Sequence, residues 1–271
     1  MRGINKSDDY KKVGKLLICL TAVLLLVSLV AMAGCAKPSD QKKPQQGITK
    51  VQPQHKMLKA VKVTARTEKS DEEAIKVGLR IPQISGMKDQ KIQKSINEAL
   101  AGPSLQLRAQ TTRDAREYYQ ETRKTGDHFW KYEVAVDYAV TYNQNGILSL
   151  TIDNYQYTGG AHGGTERLPY NIDLNTGRFL ALKDLFTPGF AYQSIINEEV
   201  RKQIAKQPEI YFEGEEGFKG IGENRTYYLI PGYVVVYFAQ YEIAPYASGM
   251  PEFKIPVEKF GTSIDKRLIK G

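Results

Sequence analysis

Trp130-Lys-Tyr-Glu-Val-Ala-Val-Asp-Tyr-Ala-Val-Thr-Tyr142, Asn145-Gly146 and the return from Ile147 to Tyr157 form the stretch that decides the fold. Apolar and polar residues alternate with a period of two on both sides, the spacing of half-buried strands. Asn-Gly between them supplies two residues that tolerate positive φ, so the link is a tight hairpin turn. The same alternation recurs upstream, in Val61 to Ala65 and in Ala74 to Ile81, which ends at Pro82. Downstream it returns from Arg225 to Ile230 and from Tyr233 to Ala239, around Pro231-Gly232. Pro-Gly suits a type I or II turn better than a primed one, so this second link is expected to be wider than two residues. Asp173-Leu-Asn-Thr-Gly177 predicts a further hairpin turn, between Tyr170-Asn-Ile172 and Phe179 to Leu182.

Helices interrupt these strands. Ile92, Ile96 and Leu100 recur every four residues and share one helical face. Ser85 is the expected cap of that helix and Gly102-Pro103 its expected end, with a second helix from about Ser104 to Arg123. Ile195, Ile196, Val200 and Ile204 predict another helix over 191–204. Runs of strands with a few helices imply an α+β fold with a mainly antiparallel sheet, in two closely associated modules. The expected division is an N-terminal module over 57–165 and a C-terminal one over 166–271.

The start of the chain says where it works. Arg2, Lys6, Lys11, Lys12 and Lys15 lead into an apolar run from Leu16 to Ala33, then Ala33-Gly34 and Cys35. Basic region, apolar region and small-residue site form the order of an export signal. A cysteine directly after the small pair is what lipid modification requires. Residues 1–34 are therefore expected to be a lipoprotein signal peptide, and 35–56 a lipidated Cys35 with a flexible, Lys-, Gln- and Pro-rich tether. The expected location is the extracytoplasmic face of a bacterial cell membrane, with two acyl chains enough for stable anchoring. The alternative is an uncleaved transmembrane anchor, since a run of about 18 residues is the lower limit for spanning a bilayer.

Composition narrows the chemistry. The two cysteines, Cys19 and Cys35, fall in or at the signal, which leaves the folded part without a disulfide, a thiolate zinc site or a Cys-His nucleophile. The formal charge of +8 falls to +5 once the five basic and two acidic residues of the signal are removed. Part of the remainder sits on tether lysines, so the high pI gives no support to nucleic-acid binding, and no recognition motif does either. No Gly-x-Ser-x-Gly elbow, phosphate loop or dinucleotide fingerprint occurs. Three scattered histidines do not make a metal site. No catalytic residue, cofactor or metal is expected.

Two segments stand out as candidate binding elements. In Tyr157-Thr-Gly-Gly-Ala-His-Gly163, Gly159, Gly160 and Gly163 let the backbone approach a neighbour closely. His162 is then either a contact residue, acid or base in a ligand-binding turn, or a ring bonded to backbone in a tight connection. Tyr241-Glu-Ile-Ala-Pro-Tyr-Ala-Ser-Gly249 is too irregular for a strand and too apolar for a free loop, so it is expected to be a packed crossing. Tyr241, Glu242 and Tyr246 are its candidate contacts, since tyrosines are stiff, large and amphipathic. The loop 208–224 carries Glu209, Glu213, Glu215, Glu216 and Glu223 against Lys219. A solvated loop, or one that steers a basic partner, fits that balance.

These two segments, the second continued through Met250-Pro-Glu-Phe253, resemble the RsiV-like extracellular domain family. Its paired modules of unknown function are shared by an anti-sigma factor and some peptidoglycan deacetylases. The resemblance covers roughly residues 60–258. It implies a receptor-like domain whose partner is a lysozyme-like protein or a peptidoglycan fragment, on a lipid anchor in the membrane. About 15 residues precede the apolar run, too few for a sigma-binding segment, and no deacetylase domain is expected to follow. The alternatives are a cell-wall glycan-modifying enzyme using His162 and nearby carboxylates, and a membrane-anchored regulator of the RsiV type.

Overall fold

In the computed structural model, which describes residues 60–269, the Asn-Gly link is a two-residue turn with φ of 53° at Asn145 and 79° at Gly146. It joins β3 (Tyr132–Gln144) to β4 (Ile147–Tyr157), with Gln144 opposite Ile147. β1 (Lys62–Asp71), β2 (Ile75–Ser85) and β5 (Gly164–Asp173) complete a five-stranded sheet in the order β1-β2-β3-β4-β5. All pairs are antiparallel except β2 with β3, which run parallel because a long helix crosses between them. Cys35, the signal and the tether lie outside the described residues. Among the described residues no helix is long and apolar enough to cross a membrane.

That helix, α1, runs unbroken over Gln90–Thr125. The expected cap at Ser85 and the expected stop at Gly102-Pro103 are both corrected. Ser85 ends β2, and Asp89 caps α1, its Oδ1 accepting from the amides of Lys91 (2.8 Å) and Ile92 (3.1 Å). Proline removes the amide that would bond to Ala99, four residues back. The Tyr170 hydroxyl on β5 donates to that freed carbonyl at 3.4 Å. Next to it, buried Ser104 donates to Asn154 Oδ1 on β4 at 2.7 Å. The sheet thus satisfies what the proline leaves open, and the helix continues to Gly126, a left-handed cap at φ 77°.

β4 is covered on both faces. Leu148, Leu150 and Ile152 pack toward α1, while Ile147 belongs to a second core. β3 serves both cores through a bulge. Val134 and Val136 face the first, but the register slips between Val140 and Tyr142, so Tyr142 pairs with Ser149 and joins the second. One extra residue reverses which face a side chain meets, which is what moves this tyrosine across.

The second core lies under β6 (Tyr227–Ile230), β7 (Tyr233–Tyr237) and β8 (Glu252–Pro256), an antiparallel sheet, with α2 (Tyr192–Ile204) against it through Ile196 and Val200. Pro231-Gly232 links β6 to β7 in two residues, with Ile230 opposite Tyr233, so the wider link expected there is corrected. Gly232 at φ 79° supplies the positive φ that a type II turn needs in its third position. Asp173 to Gly177 forms a turn closed by the Gly177 amide on the Asp173 carbonyl (2.7 Å), but only one bridge, Ile172 with Phe179, follows it. A short α3 (Lys266–Ile269) closes the described chain. The result is α+β, mainly antiparallel, in two sheets with few helices.

Two buried side chains join the sheets. The Ser149 hydroxyl donates to Asn171 Oδ1 (2.7 Å) and accepts from the Leu229 amide (2.9 Å), while Asn171 Nδ2 donates to the Tyr227 carbonyl (2.8 Å). β6 is the edge of its sheet, and these two residues satisfy edge groups that burial would otherwise leave unpaired.

Candidate functional site

β4 ends at Tyr157 and β5 begins at Gly164, so the glycine-rich turn lies at one end of the first sheet. Gly163 is the position where side-chain size is decided. A Cβ there would stand 2.5 Å from the Gln156 carbonyl oxygen and from the Tyr155 ring, so no larger residue fits unshifted. Gly159 and Gly160 have φ of 103° and 90°, and Gly159 packs against Trp130. The Tyr157 hydroxyl donates to the Gly160 carbonyl at 3.0 Å. Tyr157, Gly159 and Gly160 therefore shape the turn from behind.

The crossing after β7 meets the turn from the other module. The Tyr246 hydroxyl donates to the Gly163 carbonyl (2.9 Å), and the His162 ring stacks on Tyr246 with centroids 3.9 Å apart and planes 19° apart. His162 Nδ1 lies 2.9 Å from that same carbonyl. A carbonyl can only accept, so this contact places hydrogen on Nδ1 and, in the neutral ring, the lone pair on Nε2. Tyr241 continues the row, its centroid 5.6 Å from that of Tyr246. It is 57 % exposed and holds a positive φ of 66°, an uncommon conformation for a bulky residue and one that clusters at ligand-contacting sites. Glu242 fixes the crossing: Oε2 accepts from the Ala239 amide (2.8 Å) and Oε1 from Arg225 (2.7 Å). Arg225 in turn lies over the Phe238 ring at 4.1 Å. The Thr165 amide donates to Gln240 Oε1 at 3.2 Å, which ties the crossing to β5.

Turn and crossing enclose an open concavity of about 1100 Å³. His162, Gly163, Tyr241, Glu242 and Tyr246 all border it, together with Glu166, Arg167, Glu223 and Arg225. His162 bonds to backbone and is also exposed at the concavity. Among the described residues no group of three or more His, Cys, Asp and Glu is placed to hold a metal.

One cluster was invisible in the sequence. Arg167 on β5 forms a two-pronged pair with Asp153 on β4 (2.7 Å at both prongs) and a further pair with Glu252 on β8. Tyr228 donates to Glu252 (2.8 Å), and Tyr237 donates to the Arg167 carbonyl (2.8 Å). The bond to Asp153, only partly opposed by burial, holds the Arg167 charge more firmly than usual. Burial, and for Tyr228 also the Glu252 carboxylate, pushes both phenols up, Tyr237 to about 12. Of these groups Arg167 and Tyr237 border the concavity, and Asp153, Tyr228 and Glu252 behind them bolt it to both sheets. Their partners are far apart in sequence, and no local spacing marks them.

Fold and site define an α+β protein of two modules with an open cleft where they meet. Residues 68–165 match the family model described as deacetylase PdaC, and residues 183–258 match a protein family of unknown function, DUF3298. The chain is 29 % identical over 247 residues to anti-sigma-V factor RsiV of Bacillus subtilis, covering 88 % of this chain and 79 % of RsiV. It is 26 % identical over 164 residues to the peptidoglycan-N-acetylmuramic acid deacetylase PdaC of the same organism, covering 58 % of this chain but only 34 % of that enzyme. Two solved DUF3298 structures share the fold: one from Bacteroides fragilis (TM-score 0.62, 22 % identity) and one from Pseudomonas aeruginosa (TM-score 0.51, 18 % identity). Each aligns over 78 % of this chain and 96 % of its own. The chain thus carries a PdaC-type and a DUF3298 module in tandem and is homologous to RsiV and PdaC, as the two motifs imply.

Proposed function

We propose that this is a non-enzymatic envelope protein, held at the outer face of a bacterial membrane through lipid on Cys35, whose concavity binds cell-wall glycan. The observation that carries the proposal is the row His162, Tyr246, Tyr241, with half-buried Tyr246 between two exposed rings, which borders a concave surface and is assembled from two motifs about 80 residues apart in sequence. Sugar rings have flat C–H faces that lie on aromatic rings, and a concave site with a few polar groups suits a narrow chain better than a broad protein surface. Relatedness to RsiV and PdaC supports an envelope role.

Co-sedimentation of the full chain with purified peptidoglycan, followed by calorimetry with soluble fragments, tests this reading. Saturable binding that Tyr246→Ala weakens at least about tenfold, roughly 1.4 kcal/mol, is expected. Absence of binding to any fragment, with tight binding to a lysozyme, would replace glycan by the lysozyme-like protein as the partner. Intact-mass measurement of wild type against Cys35→Ala tests the anchor, and equal lipid content in both would end it.

One observation favours a second reading, a glycan-modifying enzyme: His162 and Glu166 are both exposed at the same concavity. Against it, His162 bonds to a carbonyl and stacks on a tyrosine, and among the described residues no carboxylate bonds to it to orient it as a base. Acetate or fragment release that His162→Ala abolishes would establish the enzyme.

A further inference from the structure

We infer that the concavity selects glycan bearing free, protonated amines over fully N-acetylated glycan. This rests on the glycan-binding reading above and adds the charge of the ligand. Two guanidinium groups border the site, and both are already committed. Arg167 is shared between Asp153 and Glu252, and Arg225 is paired with Glu242 and laid flat on Phe238. Glu166, from β5, and Glu223, from the loop before β6, border the same space, are exposed, and form no ion pair among the described residues. No lysine among the described residues borders it. Five carboxylates thus face two arginines at or directly behind this surface.

A concave wall of one sign focuses the field and raises the local concentration of ligands of the opposite sign. An anionic saccharide entering here meets two uncompensated carboxylates and no available cation. An acetamide brings no charge to either carboxylate. A protonated amine on a sugar stacked along His162, Tyr246 and Tyr241 is a cation that Glu166 or Glu223 accepts by charge-assisted hydrogen bonds. The faces of the tyrosine rings attract the same cation. The aromatic row therefore fixes where the chain lies, and the unpaired carboxylates determine which chemical form of it stays.

Calorimetric titration of the full chain with glucosamine oligomers and N-acetylglucosamine oligomers of equal length, below neutral pH and at low salt, tests this. The free-amine series is expected to bind about fivefold or more tightly, a gain of the size two exposed charge contacts give. In Glu166→Gln combined with Glu223→Gln, that preference, read as the ratio of the two affinities in the same variant, is expected to fall below about twofold. Glu258→Gln, an exposed carboxylate outside the concavity, serves as control and is expected to keep the full preference. Equal binding of both series, or tighter binding of the acetylated one, would overturn the inference and leave the glycan reading standing. Failure of both series to bind would remove the glycan reading, and the inference with it. An oligolysine peptide that binds as tightly, with the same dependence on the two carboxylates, would overturn the inference in favour of a cationic protein segment.

Discussion

The seam between the two sheets is built from one kind of bond at both ends, a side chain on one side bonded to the backbone on the other. At the closed end, Asn171 and Ser149 meet the Tyr227 carbonyl and the Leu229 amide, all of them buried. At the open end, Tyr246 meets the Gly163 carbonyl beside a concavity exposed to solvent. Water decides what each bond is worth. Removing a partner from a buried group costs that group its whole desolvation, whereas at an exposed end water replaces the partner. The closed end is therefore a lock. On the proposed glycan-binding reading, the open end is where these contacts exchange for those of a ligand.

Breaking the lock is expected to have the largest effect. Asn171→Ala leaves the Tyr227 carbonyl and the Ser149 hydroxyl each short of a partner, at about 3 kcal/mol in total. For a domain of this size that lowers the melting temperature by roughly 6 to 12 °C. Thermal and urea unfolding measure it. A loss no greater than that of an exposed substitution would refute the lock.

Arg167 lies between the two ends and sharpens the comparison. Its side chain is 18 % exposed, and its partners Asp153 and Glu252 about one third exposed. Arg167→Met is expected to cost about 2 kcal/mol, less than a fully buried pair because the carboxylates remain partly hydrated. Tyr237, bonded to the Arg167 carbonyl, gives a second readout. Burial raises its folded pKa to about 12, so folding favours the neutral phenol. That contribution is complete below the ordinary tyrosine range near pH ~10 and is lost as pH rises toward the folded value. Unfolding midpoints followed across this alkaline window should fall less steeply in Tyr237→Phe than in wild type. Identical slopes would show that this phenol is solvated.

The sequence disclosed whatever depends on local chemistry. Asn145-Gly146 forms its turn, Ile196 and Val200 bury one face of α2, and the two motifs meet at one concavity. It misled wherever a distant residue supplies the missing partner. Gly102-Pro103 is a stop signal by every local rule, yet α1 continues because Tyr170 reaches the freed Ala99 carbonyl from 71 positions away. The Arg167 cluster was hidden for the same reason, since Glu252 is 85 positions from it. Pro231-Gly232 misled differently: hairpins favour primed turns, but the positive φ of Gly232 closes a type II turn in two residues.

At the open end, the glycines separate packing from conformation. Gly163→Ala drives a methyl into the Gln156 carbonyl and the Tyr155 ring, and is expected to cost about 1.5 kcal/mol and to displace the acceptor of Tyr246. Gly160→Ala meets no atom within 4 Å and pays only for its positive φ of 90°, about 1 kcal/mol. Glycan binding should fall in the first and persist in the second. Equal loss in both would mean that the turn's flexibility, and not its close packing, forms the site.

Tyr246→Phe is expected to have the smallest effect on folding and to separate the two roles of that ring. The variant keeps the stack on His162 and loses only the bond to the Gly163 carbonyl, which keeps its contact with His162 Nδ1. The stability cost is then about 0.5 kcal/mol, the low end for a hydrogen bond whose acceptor keeps a second partner. Glycan affinity should change less than about threefold, against the tenfold or greater loss in Tyr246→Ala. If Tyr246→Phe unfolds the protein as readily as Asn171→Ala does, the open end is a second lock, and the concavity is a gap between rigid parts with no capacity to adjust to a ligand.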